Sequence, residues 1–143
     1  SLFSTDTFYT VSGLFFSMKP LQETNLELFA FSGESQKRVN AEPKRWGIHS
    51  KRAVIDGKHV LIGTYNIDPR SANLNSELMI LCRNSPELAQ SMARSITERI
   101  QDSKPVLTRQ VLHFSNLMGN ADLQQKALFL LALPLSRLFS FLL

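Results

Sequence analysis

The chain has 143 residues, of which 43% are apolar and 20% charged, the composition of one ordinary globular domain with a single core. Sixteen Lys and Arg against twelve Asp and Glu give a formal charge of +4 and a pI near 9.5, a mild excess that favours anionic partners without choosing between phospholipid and nucleic acid. Cys82, the only cysteine, excludes an intramolecular disulfide, and its place in an apolar run suggests a buried thiol.

The amino end, SLFSTDTFYTVSGLFF, has no basic region ahead of an apolar one and no initiator Met, so it reads neither as a signal peptide nor as a natural start. The chain is expected to be a piece of something longer. Ser1 to Asp6 is small and polar, and Thr7 to Pro20 is read as a helix ending near its proline. Asn25 to Phe31 alternates as a strand does. Ser32 to Lys44 lacks periodicity and suits an exposed loop.

Ile48–Ile55 and Lys58–Gly63 are β-rich runs that flank Asp56-Gly57, a strong hairpin signal. A two-residue turn would set Thr64 opposite His49 and Ile62 opposite Lys51. Residues two apart in a strand share a face, as do directly paired ones, so His49, Lys51, Thr64 and Asn66 would converge at one end of the hairpin. Asp56 would lie in the turn, with a structural role, and His59 would point away. A slip of one residue would destroy the convergence.

Glu77 to Leu81 reads as a further strand. Ser85-Pro86-Glu87 is a helix start, with Leu88, Met92, Ile96 and Ile100 at helical spacing and Pro105 as terminator. From Leu123 the chain is apolar to its end, interrupted by Pro134 and Arg137. Seventeen helical residues span only about 26 Å, short of a hydrocarbon core of about 30 Å. A simple transmembrane helix is therefore not expected; a membrane-surface anchor is, ahead of a helix packed on a missing partner and of a core helix of this same domain.

His49, Lys51, Asp56, Gly63, Thr64 and Asn66 fit the pattern HxKxxxxDxxxxxxG[ST]xN, which resembles the signature of the phospholipase D superfamily. The following NIDPRSANLNSE, Asn66 to Glu77, with STD at Ser4 to Asp6 and the LQETNLELFAF stretch, is similar to the C-terminal half of bacterial cardiolipin synthase-type proteins. The match is strongest from Ile48 to Glu87, and Thr64 stands where Ser is commoner. The resemblance implies an α/β fold, one half of a phospholipase D-like α/β/α sandwich with a mixed β-sheet and a single motif. A catalytic half-domain is expected over residues 1–105 and, over 106–143, a C-terminal extension whose apolar helix associates with a membrane.

The implied function is phosphatidyl transfer or phosphodiester hydrolysis on phospholipids through a phosphohistidine, with no metal or other cofactor. Imidazole serves either as nucleophile or, protonated, as general acid. Lys51 and Asn66 would hold the phosphoryl oxygens, where charge develops, with Thr64 as helper. Glu77 matches the acid that orients the catalytic His. Gly63 and Asp68 belong to the structural part of the motif, and Asp68, Arg70 and Ser71 would brace the following loop, Arg70 through carboxylates. Trp46 and Tyr65 flank the catalytic end, where they would pack or shape a pocket. His113 reads as an ordinary histidine.

No other HxK occurs in the chain, so half of the site must come from a second motif. The expected source is an N-terminal half of the same protein, ahead of a homodimer partner, which makes His49 the general acid. The expected setting is a membrane surface, at the cytoplasmic face of a bacterial inner membrane. A nuclease of the same fold and a non-catalytic membrane-binding module are the alternatives.

Overall fold

The computed structural model describes residues 1–5, 8–33 and 47–138. The expectations for Ser32 to Lys44 and Trp46 fall almost wholly outside them. Two compact units form: one from residues 1–47 and the segment from Ile100 onward, the other from Ile48 to Arg99. In chain terms the second unit is an insertion into the first. The boundary expected after residue 105 falls inside a strand of the first unit.

The first unit starts at α1 (Phe8–Gln22), which runs two residues past the expected stop at Pro20. A proline in the last turn forfeits only one intrahelical hydrogen bond, so the helix closes around it. β1 (Leu28–Phe31) pairs antiparallel with β5 (Ser103–Thr108), and β5 pairs with β6 (Val111–Leu112). Pro105 lies within the central strand rather than terminating a helix. It is accommodated because the register shifts there, Leu28 facing Leu107 while Phe29 faces Pro105; an irregularity frees the proline from a ladder donor it does not have. The carbonyl of Val106, between them, accepts from the His113 amide at 2.7 Å.

α4 (Phe114–Met118) and α5 (Leu123–Leu138) complete this unit. Leu2, Val11, Met18, Val106, Leu117, Ala121 and Phe129 form its core. The amino end, read as small and polar, is anchored by Leu2, whose side chain is buried and whose amide donates to the Leu117 carbonyl at 2.8 Å. Phe15 stacks edge-on against Phe114 and Phe129. α5 packs along α1, with Phe129, Ala132 and Ser136 buried and the hydroxyls of Ser12 and Ser136 hydrogen-bonded to each other. One side of α5 is thus a core helix of its own unit. Among the described residues, no helix is long and apolar enough to cross a membrane.

The second unit is the meander β2 (Lys51–Ile55), β3 (His59–Gly63) and β4 (Met79–Cys82), with the short α2 (Pro69–Asn73) between β3 and β4, and α3 (Pro86–Gln101) after it. Every strand pair described is antiparallel, in two three-stranded sheets, where a single mixed sheet was expected. α3 begins at Pro86 as its start signal predicts, but the Ser85 hydroxyl donates to the Arg83 carbonyl at 3.2 Å. Ala89 is fully buried, Met92 and Ile96 are half-buried, and Leu88 and Ile100 are exposed, so the covered stripe sits slightly round from the predicted one. Arg52 Nη1 reaches Met92 Sδ at 3.4 Å, which ties α3 to the sheet face where Val60 is fully buried. Cys82 is half-buried, not buried, because β4 is an edge strand.

Candidate active site

The hairpin that carries the site has a connection one residue longer than its Asp-Gly pair predicts. Asp56 and Gly57 both adopt positive φ, 53° and 63°, and Lys58 donates to the Ile55 carbonyl at 3.2 Å, so the turn is where it was expected. Pairing resumes only at His59, which faces Ile55. Lys51 consequently lies opposite Gly63, not Ile62, and strict alternation would send Thr64 to the side away from Lys51. The strand ends at Gly63, however, and the chain bends at Thr64, so alternation no longer governs where its hydroxyl goes.

Thr64 is held by the residues that lead into β4 rather than by β2. Its amide donates to the Leu78 carbonyl at 3.0 Å, the Leu78 amide donates to its Oγ1 at 3.0 Å, and the hydroxyl donates to Glu77 Oε2. Gly63, between Lys51 and Met79, admits this close approach, since a Cβ there would collide with Met79 Sδ and the Leu78 carbonyl oxygen. The motif glycine is therefore required by contact, with no need of unusual backbone angles.

The loop from Thr64 to Glu77 is tied to itself. Asp68 caps α2, its Oδ1 accepting from the Ser71 amide at 2.7 Å, with Pro69 at the first helical turn. The Ser71 hydroxyl, buried, accepts from the Asn66 amide at 3.3 Å. Asn75 Nδ2 donates to Glu77 Oε1 at 3.1 Å. The Glu77 carboxyl is held below its ordinary value of 4.5 by the hydrogen bonds of Thr64, Ser71 and Asn75, in that order, with a smaller contribution from the Lys51 charge. Lys51, Thr64, Asn66 and Glu77 are thus brought into one connected neighbourhood, together with Ser71 and Asn75. Asn75 is not among the expected site residues; its only signal in the sequence is a short amide two residues ahead of a carboxylate.

His49 precedes the first paired residue of β2 and is exposed. Its carbonyl accepts from Lys51 Nζ at 2.9 Å. The imidazole makes no hydrogen bond among the described residues, and the Glu77 oxygens are taken by Thr64 and Asn75 instead of by it. Asp56 is exposed in the turn. Arg70 is exposed and meets no carboxylate among the described residues; it serves the loop through its carbonyl, which accepts from Leu74 and Asn75. His59 braces the start of α3's approach, its Nδ1 accepting from the Asn84 amide at 3.2 Å. Tyr65 and His113 are half-buried. Among the described residues no three His, Cys, Asp or Glu side chains group as metal ligands.

Residues 18–100, more than half of the chain, match the family described as cardiolipin synthase, PLD-like domain, and the chain belongs to this phospholipase D-like family. An uncharacterised protein of Helicobacter pylori is 39% identical over 56 residues, 39% of this chain and 11% of that protein. The 5′-3′ exonuclease PLD4 of Mus musculus is 33% identical over 73 residues, 50% of this chain and 14% of that enzyme. The matched stretches are thus a small part of these curated relatives. No solved structure matches the chain.

Proposed function

We propose that the chain supplies one of two half-sites of a phospholipase D-type phosphatidyltransferase or phosphodiesterase acting on phospholipids. The observation that carries this reading is the connected neighbourhood of Lys51, Thr64, Asn66 and Glu77 beside His49, within the stretch matched to the family. In the first step the imidazole of the second half-site attacks phosphorus, and His49, as imidazolium, gives its proton to the departing alcohol oxygen. In the second, water or another alcohol attacks the phosphohistidine while neutral His49 takes the incoming proton. Lys51 uses one of its three donors on the His49 carbonyl and keeps others for a phosphoryl oxygen. The Asn66 side-chain amide is a second donor for these oxygens. Glu77, kept anionic by its hydrogen bonds, accepts from Thr64 and Asn75 and so fixes the loop that carries Asn66. A phospholipid substrate places the reaction at a bilayer surface, consistent with a membrane-associated protein at the cytoplasmic face of a bacterial inner membrane.

A nuclease of the same fold is the second reading, favoured by the similarity to the exonuclease PLD4. Both are tested in the complete protein that carries this chain, with its second half-site in place. On phosphatidylglycerol vesicles, His49→Ala is expected to lower phosphatidyl transfer or hydrolysis by roughly a hundredfold to ten-thousandfold, the usual worth of a general acid. Unchanged turnover in that variant sinks the assignment. Cleavage of single-stranded DNA with no action on the vesicles selects the nuclease.

A further inference from the structure

The side of α5 turned away from its unit's core carries a surface for which the chemistry above has no use. With about 100° between successive helical residues, Leu123, Leu128, Leu130, Leu131, Leu135 and Leu138 fall within an arc of about 160°. Four of them, Leu130, Leu131, Leu135 and Leu138, are 58–70% exposed, while Phe129, Ala132 and Ser136 on the other side are buried against the unit. An exposed run of leucines this dense is a contact surface rather than ordinary scatter. Lys126 and Arg137, eleven residues apart, project together at one border of the arc, within about 40° of Leu130.

The charge pattern selects what covers it. α5 contains no Asp or Glu, and neither does α1, packed beside it with Leu14, Phe16 and Lys19 exposed. A second copy of this surface would bring the same cations and no counter-charge. A bilayer with anionic headgroups supplies both an apolar layer for the leucines and phosphates for the cations at their edge, where long basic side chains reach the interface. Sixteen residues of helix span only about 24 Å, so the helix would lie along the surface rather than cross it. We propose that α5 is an interfacial helix that lays this leucine face on an anionic lipid bilayer.

The proposal does not rest on the catalytic reading, because a chain without turnover on any substrate still presents the surface. Co-sedimentation of the full chain with vesicles of phosphatidylcholine alone, or mixed equally with phosphatidylglycerol, tests it. Binding is expected to the mixed vesicles and to weaken with added salt. The double variant Lys126→Gln, Arg137→Gln should bind about thirtyfold more weakly, at roughly one factor of five per basic residue near an anionic surface. The double variant Leu131→Ser, Leu135→Ser should lose binding while its thermal midpoint stays close to that of the wild type, since both side chains already face solvent. Failure of the wild-type chain to bind the anionic vesicles overturns the proposal. So does equal binding by both double variants, or a wild-type dimer abolished by the leucine substitutions without any vesicle binding.

Discussion

Glu77 and Gly63 show how single residues set the site. The Glu77 carboxyl has its pKa lowered, chiefly by Thr64, then by Ser71 and Asn75. A depressed carboxyl contributes stability that is fully present above its unfolded value and is lost as pH falls through its folded value. Comparison with Glu77→Gln should therefore show the wild type gaining in thermal midpoint above pH 4.5 and the gain shrinking steadily below it. A constant difference across an acid titration followed by circular dichroism would show that the carboxylate is not what the hydroxyls recognise. Gly63→Ala forces a methyl group toward Met79 and the Leu78 carbonyl, and should cost about 1–3 kcal/mol, the usual range for overpacking. Urea denaturation reads this directly, and a neutral result would mean that β4 moves away without loss.

At the scale of elements, α2 and the loop around it are a small capped device between two strands. Asp68→Ala removes the cap on the Ser71 amide, with an expected cost of about 1 kcal/mol. Hydrogen exchange at Ser71 and Ala72 should accelerate, and unchanged protection would show that Pro69 alone holds the turn. Much of this region was legible, because its signals are local: an Asp-Gly pair between β-rich runs, Ser-Pro-Glu ahead of a periodic helix, and six residues of a motif in one short stretch. What stayed hidden depends on partners distant in sequence. The Asp-Gly pair marks the turn, but the residue at which pairing resumes is decided by the ladder, which skips Lys58 and faces Ile55 with His59. Pro105 reads in the sequence as a helix terminator, and only the irregular register opposite Phe29 makes room for it in a strand. The place of Thr64 beside Glu77 follows from β4, whose register with β3 the sequence does not state.

For the whole molecule, apolar composition foretold a single core, and the chain divides it. The larger part, around Leu2, Met18, Leu107 and Phe129, belongs to the unit built from both ends of the chain, while the motif-bearing unit has little beyond Val60 and Ala89 fully buried. The sequence showed the apolar carboxyl end but not its two-sided use, one side in the core and the other facing out. The insertion of one unit into the other also governs the order in which contacts can form. β2, β3 and β4 join neighbours along the chain, so their pairing needs only short closures and can proceed during synthesis. Pairing Phe31 with Ser103 must wait until the whole motif-bearing stretch has emerged. If that stretch is still open, the closure carries the entropic penalty of a long loose loop; if it has already folded, the effective loop is shorter and the penalty smaller. The motif-bearing segment, once folded, thereby shortens the loop that must close before β1 and β5 can pair.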